Sequence, residues 1–374
     1  MSGVASHEPT VVIFGAGASK SAGAPLMMEF FDVAERLRRS NQIPNTEAYD
    51  LSFRGIQALN QAHSKAQLDT DNLESVFSAF EMAELLRRLQ GIDETEKLPG
   101  ALRQLIAATL SAAVMFPWST TSDRLDPPAD YKTFVEKMQE YRKVAGGDGA
   151  KITLITFNYD MALDYALWFH SFQGREIDYG LNETPKEGAL PLLKLHGSLH
   201  WQRSGASNDA DAGQVDYLAS ERLFAEAIDS ANTDAREARN FHRAGGASPS
   251  TAFPLPISIA DPFIVPPTWS KGGHYLAIRN VWRSAAEALR KAERIYVIGY
   301  SLPESDQFFK LLYALGTIGS ARLKRFWVYN PDRSGATQAR FEALLGASAK
   351  TRFKYIPREF KDVFDNTDEL ALEF

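Results

Sequence analysis

Short apolar runs rich in β-branched and aromatic residues recur along this chain, and longer segments of helical pattern separate them. The runs are TVVIF at 10–14, ITLITF at 152–157, LLKLH at 192–196, RIYVIG at 294–299 and RFWVYN at 325–330. Strands that are covered on both faces read as continuous apolar runs, and strands that alternate with helices form parallel sheets. The pattern therefore predicts an α/β fold, a Rossmann-like parallel sheet with helices on both faces.

The distance between the first two runs indicates an insertion. They are separated by about 135 residues, far more than one crossover between parallel strands needs. Within it, DNLESVFSAFEMAELLRRLQG at 71–91 has helical spacing between a capping Asp or Asn and a glycine stop. We expect one domain over 1–374, with its sheet at about 8–44 and 146–374 and a helical insertion at about 45–145.

The composition excludes several classes of protein. The chain has 41 basic and 47 acidic residues, whereas proteins that coat nucleic acid carry a basic excess, so we expect no direct nucleic-acid binding. It has no cysteine, which excludes disulfides, a catalytic thiol and a thiolate zinc site. The sequence contains neither a long apolar run nor the basic and apolar regions of a signal peptide. We expect a cytoplasmic protein that is not bound to a membrane.

The first run leads directly into a glycine-rich loop, GAGASKSAGAP at 15–25. Gly15 and Gly17 let the backbone turn tightly and let a pyrophosphate approach N–H groups, while a following helix N-terminus favours the anion. Lys20 stands where the dehydrogenase fingerprint has a further glycine, and the G-K-[ST] of a Walker loop is missing. The loop predicts a phosphate site, with a tight turn that binds no ligand as the alternative.

The polar residues Thr156, Asn158 and Asp160 lie at the carboxyl end of the second run, and a helical pattern follows at once. Ligands of open α/β sheets bind outside the carboxyl ends of the strands. These side chains should therefore face the same crevice as the glycine-rich loop. Asn158 and Asp160 would serve equally well as the N-cap and first-turn acid of the helix.

The third run ends on His196, and Gly197 follows it. A histidine at the end of a strand, with a glycine beside it that leaves room for a ligand, fits a general base, because the ordinary pKa of histidine lies near neutral pH. The alternative is a histidine satisfied within the core. His196 and His200 have H-x-x-x-H spacing, which binds metal on a helix, whereas the pattern here favours a strand. We expect no metal site.

The last two runs also end on polar residues. Gly299 and Ser301 end one of them, before a helix capped by Ser305 or Asp306. Asn330 ends the other, where it could bond a ribose or an adenine if the ligand extends that way.

Together these motifs resemble those of the sirtuin family, in the same order along the chain. They are G-A-G-x-S-x-x-x-G-x-P at 15–25, T-x-N-x-D at 156–160, L-H-G-S at 195–198, G-Y-S-L-P at 299–303 and the strand that ends on Asn330. They cover nearly the whole Rossmann-like part of the chain. The resemblance implies a sirtuin-like fold that binds NAD.

Two departures separate the chain from sirtuin protein deacylases. In those enzymes an Asp-Phe-Arg motif follows the proline that matches Pro25, whereas LMMEF follows it here. They also carry a small zinc module held by four cysteines, and this chain has no cysteine. The chain is more similar to the sirtuin-like NAD hydrolases of bacterial antiphage systems, through DNLESVF, TFNYD, KLHGSLHW, VPPTW and VIGYSLPESD.

That resemblance implies cleavage of NAD+ at the nicotinamide–ribose bond to give nicotinamide and ADP-ribose. Asn158 and His196 match the catalytic positions: His196 would activate a ribose hydroxyl or a water, and Asn158 would hold one of them. The implied cofactor-binding residues are Gly15, Ala16, Gly17 and Ser19 at the pyrophosphate, Ser301 and Asn330 at the adenosine, Asp160 near the sugar, and Pro25, Thr156 and Gly299 around them.

The same resemblance implies a biological setting. We expect NAD depletion in antiphage defence by abortive infection, a homo-oligomer, and a separate activator such as a helicase-type ATPase or a short Argonaute. Two alternatives remain: a non-catalytic module that senses NAD or ADP-ribose through oligomerisation, and an NAD-dependent protein deacylase.

Overall fold

The computed structural model describes most of the chain. The described residues are 8–43, 46–61, 68–144, 151–170, 177–203, 215–243, 251–255, 262–265, 276–304, 306–317, 322–364, 372 and 374. Three parts of the sequence analysis lie outside these residues: the predicted end of the insertion at 145, the VPPTW segment after Val265, and Ser305.

The strands of the described residues form three sheets. They are β1 (Thr10–Phe14), β2 (Met115–Ser119), β3 (Arg124–Leu125), β4 (Ile152–Thr156), β5 (Ile177–Asp178), β6 (Leu190–Lys194), β7 (Gly197–Arg203), β8 (Val215–Asp216), β9 (Ala252–Pro254), β10 (Pro262–Ile264), β11 (Arg294–Ile298), β12 (Arg325–Tyr329) and β13 (Phe353–Ile356). The main sheet has seven strands in the order β13-β12-β11-β1-β4-β6-β5, and all neighbours pair in parallel. The predicted parallel sheet is confirmed. The smaller sheets have the orders β10-β7-β8 and β3-β2-β9.

The apolar runs of the sequence are the five central strands of the main sheet. Every residue of β1 is buried, which explains why that run is apolar throughout. The other four strands end one or two residues before the predicted runs do. The edge strands were not predicted, because β5 has only two residues and β13 alternates between exposed and more buried positions.

The described residues also form helices, several of which pack on the main sheet. They are α1 (Phe30–Arg39), α2 (Glu47–Gln61), α3 (Leu73–Leu86), α4 (Leu98–Ala113), α5 (Ala129–Val144), α6 (Ala162–His170), α7 (Tyr217–Arg243), α8 (Arg279–Lys291), α9 (Gln307–Gly316), α10 (Ala336–Leu344) and α11 (Ala347–Lys350). Within the described part of the chain, no helix combines the length and the apolar character needed to cross a membrane.

Helix α3 begins where the sequence predicts it and ends earlier. The side chain of Asn72 accepts a hydrogen bond of 2.9 Å from the N–H of Glu74, so Asn72 is the N-cap. The helix ends at Leu86 because Arg87 adopts a left-handed conformation with φ of 49°. The predicted stop at Gly91 is therefore wrong by several residues.

The predicted insertion is not helical throughout. Helices α2, α3 and α4 pack together, and Gly55 of α2 lies against the ring of Phe80 in α3. Strands β2 and β3 follow them, and β2 pairs antiparallel with β3 on one side and with β9 on the other. Helix α5 packs on the main sheet, where the ring of Phe134 lies 5.0 Å from that of Phe14 in β1.

Candidate active site

The five sequence motifs lie in the loops that follow β1, β4, β6, β11 and β12, and these loops leave the main sheet at the same level. Phe14 of β1 pairs with Thr156 of β4, and Thr156 pairs with Lys194 of β6. On the other side of β1, Phe14 pairs with Ile298 of β11, and Ile298 pairs with Tyr329 of β12. The residues that follow these strands therefore emerge side by side at the carboxyl edge of the sheet, where open α/β sheets bind ligands.

The chain order reverses at the centre of this edge, between β1 and β11. Here the glycine-rich loop contacts the turn after β11. A Cβ on Gly15 would lie 2.5 Å from the Cα of Tyr300, and a Cβ on Gly17 would lie 2.8 Å from the oxygen of Gly299. Gly299 has a φ of 66°, and its own Cβ would lie 2.3 Å from the nitrogen of Ala18. These glycines are therefore required by the contact between two loops, independently of any ligand.

The same contact uses part of the loop's hydrogen-bonding capacity. The N–H groups of Gly15 and Gly17 donate to carbonyl oxygens of β11 and its turn, at 3.0 and 2.9 Å. In contrast, no described group accepts a hydrogen bond from the N–H of Ala16, Lys20 or Ser21. These three N–H groups are the ones available to an anionic ligand.

Asn158 is fixed by the glycine-rich loop. Its Nδ2 donates to the oxygen of Gly15 and to Oγ of Ser19, both at 3.0 Å. Because a carbonyl oxygen can only accept, the contact with Gly15 identifies the side-chain nitrogen. Ser19 is fully buried, and its Oγ also lies 2.8 Å from the hydroxyl of Tyr131. No described group donates to Oδ1 of Asn158, so this oxygen is left for a ligand.

Thr156 and Asp160 support the backbone on either side of Asn158. Oγ1 of Thr156 accepts from the N–H of Asn158 at 3.0 Å. Oδ1 of Asp160 accepts from the N–H of Ala162, the first residue of α6, at 2.9 Å. Burial raises the pKa of the Asp160 carboxyl, and the charge of Lys194 opposes this shift. Asp160 thus stabilises the start of the helix, whereas the side chain of Asn158 bonds the glycine-rich loop instead of capping that helix.

His196 lies at the same level of the sheet edge as Asn158. Thr156 of β4 pairs with Lys194 of β6, and Asn158 and His196 each come two residues after their member of this pair. It is buried, and its ring packs edge-on against Phe157 with 5.2 Å between centroids. The sequence suggested that Gly197 leaves room for a ligand. In the structure that space is filled by the backbone of β10. Gly197 has a φ of 82°, and a Cβ there would lie 2.1 Å from the oxygen of Phe263 in β10.

A buried ion pair lies beneath the loop after β4, and it was not predicted from the sequence. Lys194 donates from Nζ to Oδ2 of Asp164 at 2.8 Å and to the backbone oxygen of Asp160 at 2.7 Å. Both side chains of the pair are only 1% exposed, and Tyr179 donates to the other carboxylate oxygen. Lys194 therefore ties the end of β6 to the loop after β4. The available signal was a lysine inside the apolar run LLKLH, because a buried ammonium requires an anionic partner.

The turn after β11 is held by stacking and by a buried carboxylate. The ring of Tyr300 stacks on Phe157 with 4.4 Å between centroids, and its hydroxyl donates to Oδ2 of Asp306. Oδ1 of Asp306 accepts from the N–H of Phe309, so Asp306 caps α9. Burial, and then the neighbouring Asp306 carboxylate, raise the pKa of Tyr300.

Ser301 and Asn330 lie on the far side of β1 from Asn158. The backbone oxygen of Ser301 accepts from Nε of Arg340 at 2.9 Å. Oδ1 of Asn330 accepts from the N–H of Asp332 at 3.0 Å. Among the described groups none accepts from Nδ2 of Asn330, which leaves this donor for a ligand.

A cavity of about 1450 Å³ joins the motif loops. The predicted site residues that line it are Ala16, Gly17, Asn158, His196, Gly299, Ser301 and Asn330. The others are buried outside its lining: Gly15, Ser19, Pro25, Thr156 and Asp160. Every motif therefore contributes at least one residue to the same cavity, including both predicted catalytic residues.

The cavity continues past the sheet edge to α3. Its apolar wall consists of Leu26, Met27, Met28, Leu59, Leu68, Ala79, Met82, Ala83, Leu86 and Leu89. The volume exceeds the range of about 300–1,000 Å³ that is usual for small-molecule sites, so it is large enough for a ligand of dinucleotide size. The sequence predicted α3 as a helix but gave no sign that it closes this side of the site.

His200 lies in β7 and is buried. Its Nδ1 lies 3.0 Å from Oγ of Ser198 and 2.9 Å from Sδ of Met161. Burial lowers the pKa of His200 to about 3, so the ring is neutral near neutral pH. Within the described ranges, no group of three or more His, Asp or Glu side chains could hold a metal ion.

Comparisons with known proteins give similarities at the level of structure. No protein-family model and no curated protein matches the chain. A Sir2 homologue–NAD complex is 14% identical with a TM-score of 0.37, over 95% of this chain and 85% of that one. A Sir2–p53 peptide–NAD+ complex is 10% identical with a TM-score of 0.36, over 94% and 89%. A Sir2 homologue mutant complex with 2′-O-acetyl ADP-ribose is 16% identical with a TM-score of 0.37, over 97% and 94%.

The chain is similar in structure to Sir2 proteins. These similarities concern the fold alone and assign no activity to this chain.

Proposed function

We propose that the chain is an NAD+ hydrolase that cleaves the nicotinamide–ribose bond and releases nicotinamide and ADP-ribose. One observation carries the proposal. Asn158 and His196 follow neighbouring parallel strands at matching positions, and both line the cavity that also contains the glycine-rich loop. The cavity thus combines a candidate base, a candidate positioning amide and a set of backbone donors.

The arrangement of donors suits a dinucleotide. The N–H groups of Ala16, Lys20 and Ser21 lie at the point where the strand order reverses, and they would bind the diphosphate. From there the nicotinamide ribose would extend towards Asn158 and the adenosine towards Asn330. Both ends of the ligand would then meet a side-chain group with hydrogen-bonding capacity left over.

The chemistry requires little beyond positioning and a base. Water attacks C1′ of the nicotinamide ribose, the electrons of the breaking C–N bond pass to the ring nitrogen, and nicotinamide leaves neutral. No general acid is needed, because the leaving group is cationic before cleavage. His196 would accept the proton of the attacking water, and Oδ1 of Asn158 would accept a hydrogen bond from a ribose hydroxyl or from that water.

Deacylation of a protein is the main competing reaction for an NAD site of this kind. One of the similar Sir2 structures contains a p53 peptide, and another contains 2′-O-acetyl ADP-ribose. In this chain the segment after Pro25 is LMMEF, whose Met27 and Met28 contribute to the cavity wall. We propose water as the acceptor, and the requirement for an acyl peptide distinguishes the two reactions.

We further propose that hydrolysis serves antiphage defence by depleting NAD+ in the cytoplasm. In this setting the chain would act as a homo-oligomer under the control of a separate activator, such as a helicase-type ATPase or a short Argonaute. The proposal extends the resemblance of the sequence motifs and is independent of the geometry of the cavity.

Release of nicotinamide from NAD+ by the purified chain tests the proposal, with and without the products of neighbouring genes. Release without any acyl peptide supports hydrolysis. Release that requires an acylated peptide identifies a deacylase. Binding of NAD+ without release under every activating condition identifies a sensing module and overturns the proposal.

A further inference from the structure

Lys20 carries the only charge in the glycine-rich loop at 15–25, and the proposed reaction gives its side chain no role. Its Nζ donates to Oε1 of Glu29 at 3.1 Å. Lys20 and Glu29 both line the cavity, and their side chains are 54% and 50% exposed. Lys20 therefore adds a positive charge to the loop that also provides the available N–H groups, and its ion-pair partner belongs to the same cavity.

The charge of Lys20 also acts on a second carboxylate, that of Glu359. The pKa of Glu359 is lowered mainly by its hydrogen bond from Lys361, and the charge of Lys20 adds to this effect. Glu359 lines the cavity just before the short 3₁₀ turn at Phe360–Asp362, whereas Glu29 lines it just before α1. Lys20 thus interacts with carboxylates from two different parts of the chain, and Glu359 is also paired with Lys361, which lines the cavity too.

The ion pair of Lys20 with Glu29 is easy to break. The hydrogen bond from Lys20 lowers the pKa of Glu29, so the carboxylate is ionised near neutral pH. An exposed pair of this kind contributes little to stability, because water and salt screen it. A diphosphate carries two negative charges and would also engage the N–H groups of Ala16, Lys20 and Ser21. The diphosphate would therefore compete successfully with the single carboxylate of Glu29.

We infer that Lys20 binds the diphosphate of a dinucleotide or of a nucleoside diphosphate sugar, and that Glu29 occupies its ammonium until the ligand displaces it. The inference rests on the proposed NAD+ site and adds a binding residue that the motifs do not include. It gives Glu29 a defined effect, because a carboxylate that competes with the ligand weakens binding. Together with the N–H groups of the loop, Lys20 then favours ligands with phosphates over nucleosides.

Binding of ADP-ribose and of adenosine to the purified chain, measured by calorimetry, tests this inference without any turnover. Lys20→Gln should weaken binding of ADP-ribose about tenfold, the effect of one charge-assisted hydrogen bond. Glu29→Gln should strengthen it about two- to fivefold, because the competing carboxylate is gone. The double variant should bind like Lys20→Gln, since Glu29 acts only through Lys20. Binding of adenosine, which has no phosphate, should be the same in all variants.

Lys137→Gln is the matched control. Lys137 donates to Glu140 at the same 3.1 Å, on the exposed surface of α5 and outside the cavity lining. This variant should bind ADP-ribose like the wild type, which separates a local effect of Lys20 from a change in net charge.

The outcomes separate this inference from the proposed function. Unchanged ADP-ribose affinity in Lys20→Gln, weaker binding in Glu29→Gln, or no binding by the wild type overturns the inference, whether or not nicotinamide is released. If the affinities change as expected and NAD+ is not cleaved, the inference stands and the hydrolase proposal fails.

Discussion

Asn158 donates a hydrogen bond of 3.0 Å from its side-chain nitrogen to the hydroxyl oxygen of Ser19. The same oxygen lies 2.8 Å from the hydroxyl of Tyr131 in α5. A chain of hydrogen bonds thus runs from the buried Tyr131, in a helix that packs on the main sheet, to the amide at the cavity. Ser19 is positioned to orient Asn158, although its place in the glycine-rich loop suggested contact with the pyrophosphate.

Replacement of Ser19 by Ala should therefore reduce kcat more than it affects KM. Loss of the hydroxyl leaves Asn158 with one fewer partner, and we expect kcat for nicotinamide release to fall about tenfold with KM for NAD+ nearly unchanged, because a misplaced positioning group costs the chemical step. Steady-state kinetics measures both constants. Ser52→Ala is the control, because Ser52 is equally buried and bonds the oxygen of Ala48 within α2. A raised KM with constant kcat would return Ser19 to a role at the pyrophosphate.

The close contact between the glycine-rich loop and the turn after β11 predicts a cost for any side chain at Gly15. Its Cβ would meet backbone and Cβ atoms of Tyr300, which cannot rotate away. We expect Gly15→Ala to lower the free energy of unfolding by about 1–3 kcal/mol, the usual cost of overpacking. Urea denaturation measures the change. Gly346→Ala is the control, since a Cβ there would have no described atom within 4 Å, and it should be neutral. If Gly15→Ala unfolds like the wild type, the glycine serves only a ligand.

The buried pair of Lys194 and Asp164 predicts strong coupling between two substitutions. Lys194→Met alone leaves an unpaired carboxylate in the core and should cost about 3–5 kcal/mol of unfolding free energy. The double variant Lys194→Met/Asp164→Leu removes both charges and should recover most of this loss. Chemical denaturation of the wild type, both single variants and the double variant measures the coupling. Additive losses would show that the two side chains act independently.

His200 predicts a loss of stability in acid. Its pKa is about 3 in the folded chain and near 6.5 when unfolded, so between these values only the unfolded state binds the proton. Lowering the pH from about 7.5 to about 5 should cost the wild type about 2 kcal/mol through this group. His200→Phe keeps a ring at the site, and its unfolding free energy should fall by about that much less over the same pH change.

Protonation of Asp160 changes the stability in the opposite sense. Its pKa is raised in the folded chain, so the folded state binds the proton more tightly than the unfolded state and gains stability as the pH falls. This contribution is present in both proteins, so the difference between wild type and His200→Phe isolates the histidine. Urea unfolding at both pH values provides the comparison. Equal losses in the two proteins would show that His200 is accessible to protons in the folded state.

The sheet could be predicted from sequence because its central strands are buried on both faces. Val12, Ile13 and Phe14 show no exposure at all, and such strands produce short continuous apolar runs rich in β-branched and aromatic residues. The edge strand β13 has the exposed Lys354 in its middle, so its sequence lacks that signal. The limits of α3 also depended on Arg87, whose left-handed conformation has no signature in the sequence.

Part of the cavity lining could also be predicted from the positions of these strands. Asn158 follows one predicted parallel strand and His196 ends another, and the carboxyl ends of such strands meet at one edge. What the sequence could not provide were the long-range contacts. The partners Lys194 and Asp164 are 30 residues apart, and Gly15 meets a turn near the other end of the chain. Local patterns carry no information about such pairs, so the reason for each glycine and the support beneath the site appeared only in the structure.

The most direct test of the proposed hydrolase is the yield of nicotinamide and ADP-ribose from NAD+ in one reaction, for the wild type, Asn158→Ala and His196→Ala. We predict equal amounts of the two products from the wild type once activated, and a loss of at least about 10²-fold in each variant, the scale of a positioned base or its partner. Circular dichroism should show that both variants are folded. Equal product yields from the wild type and both variants, or no nicotinamide from the wild type with its activator, would contradict the account.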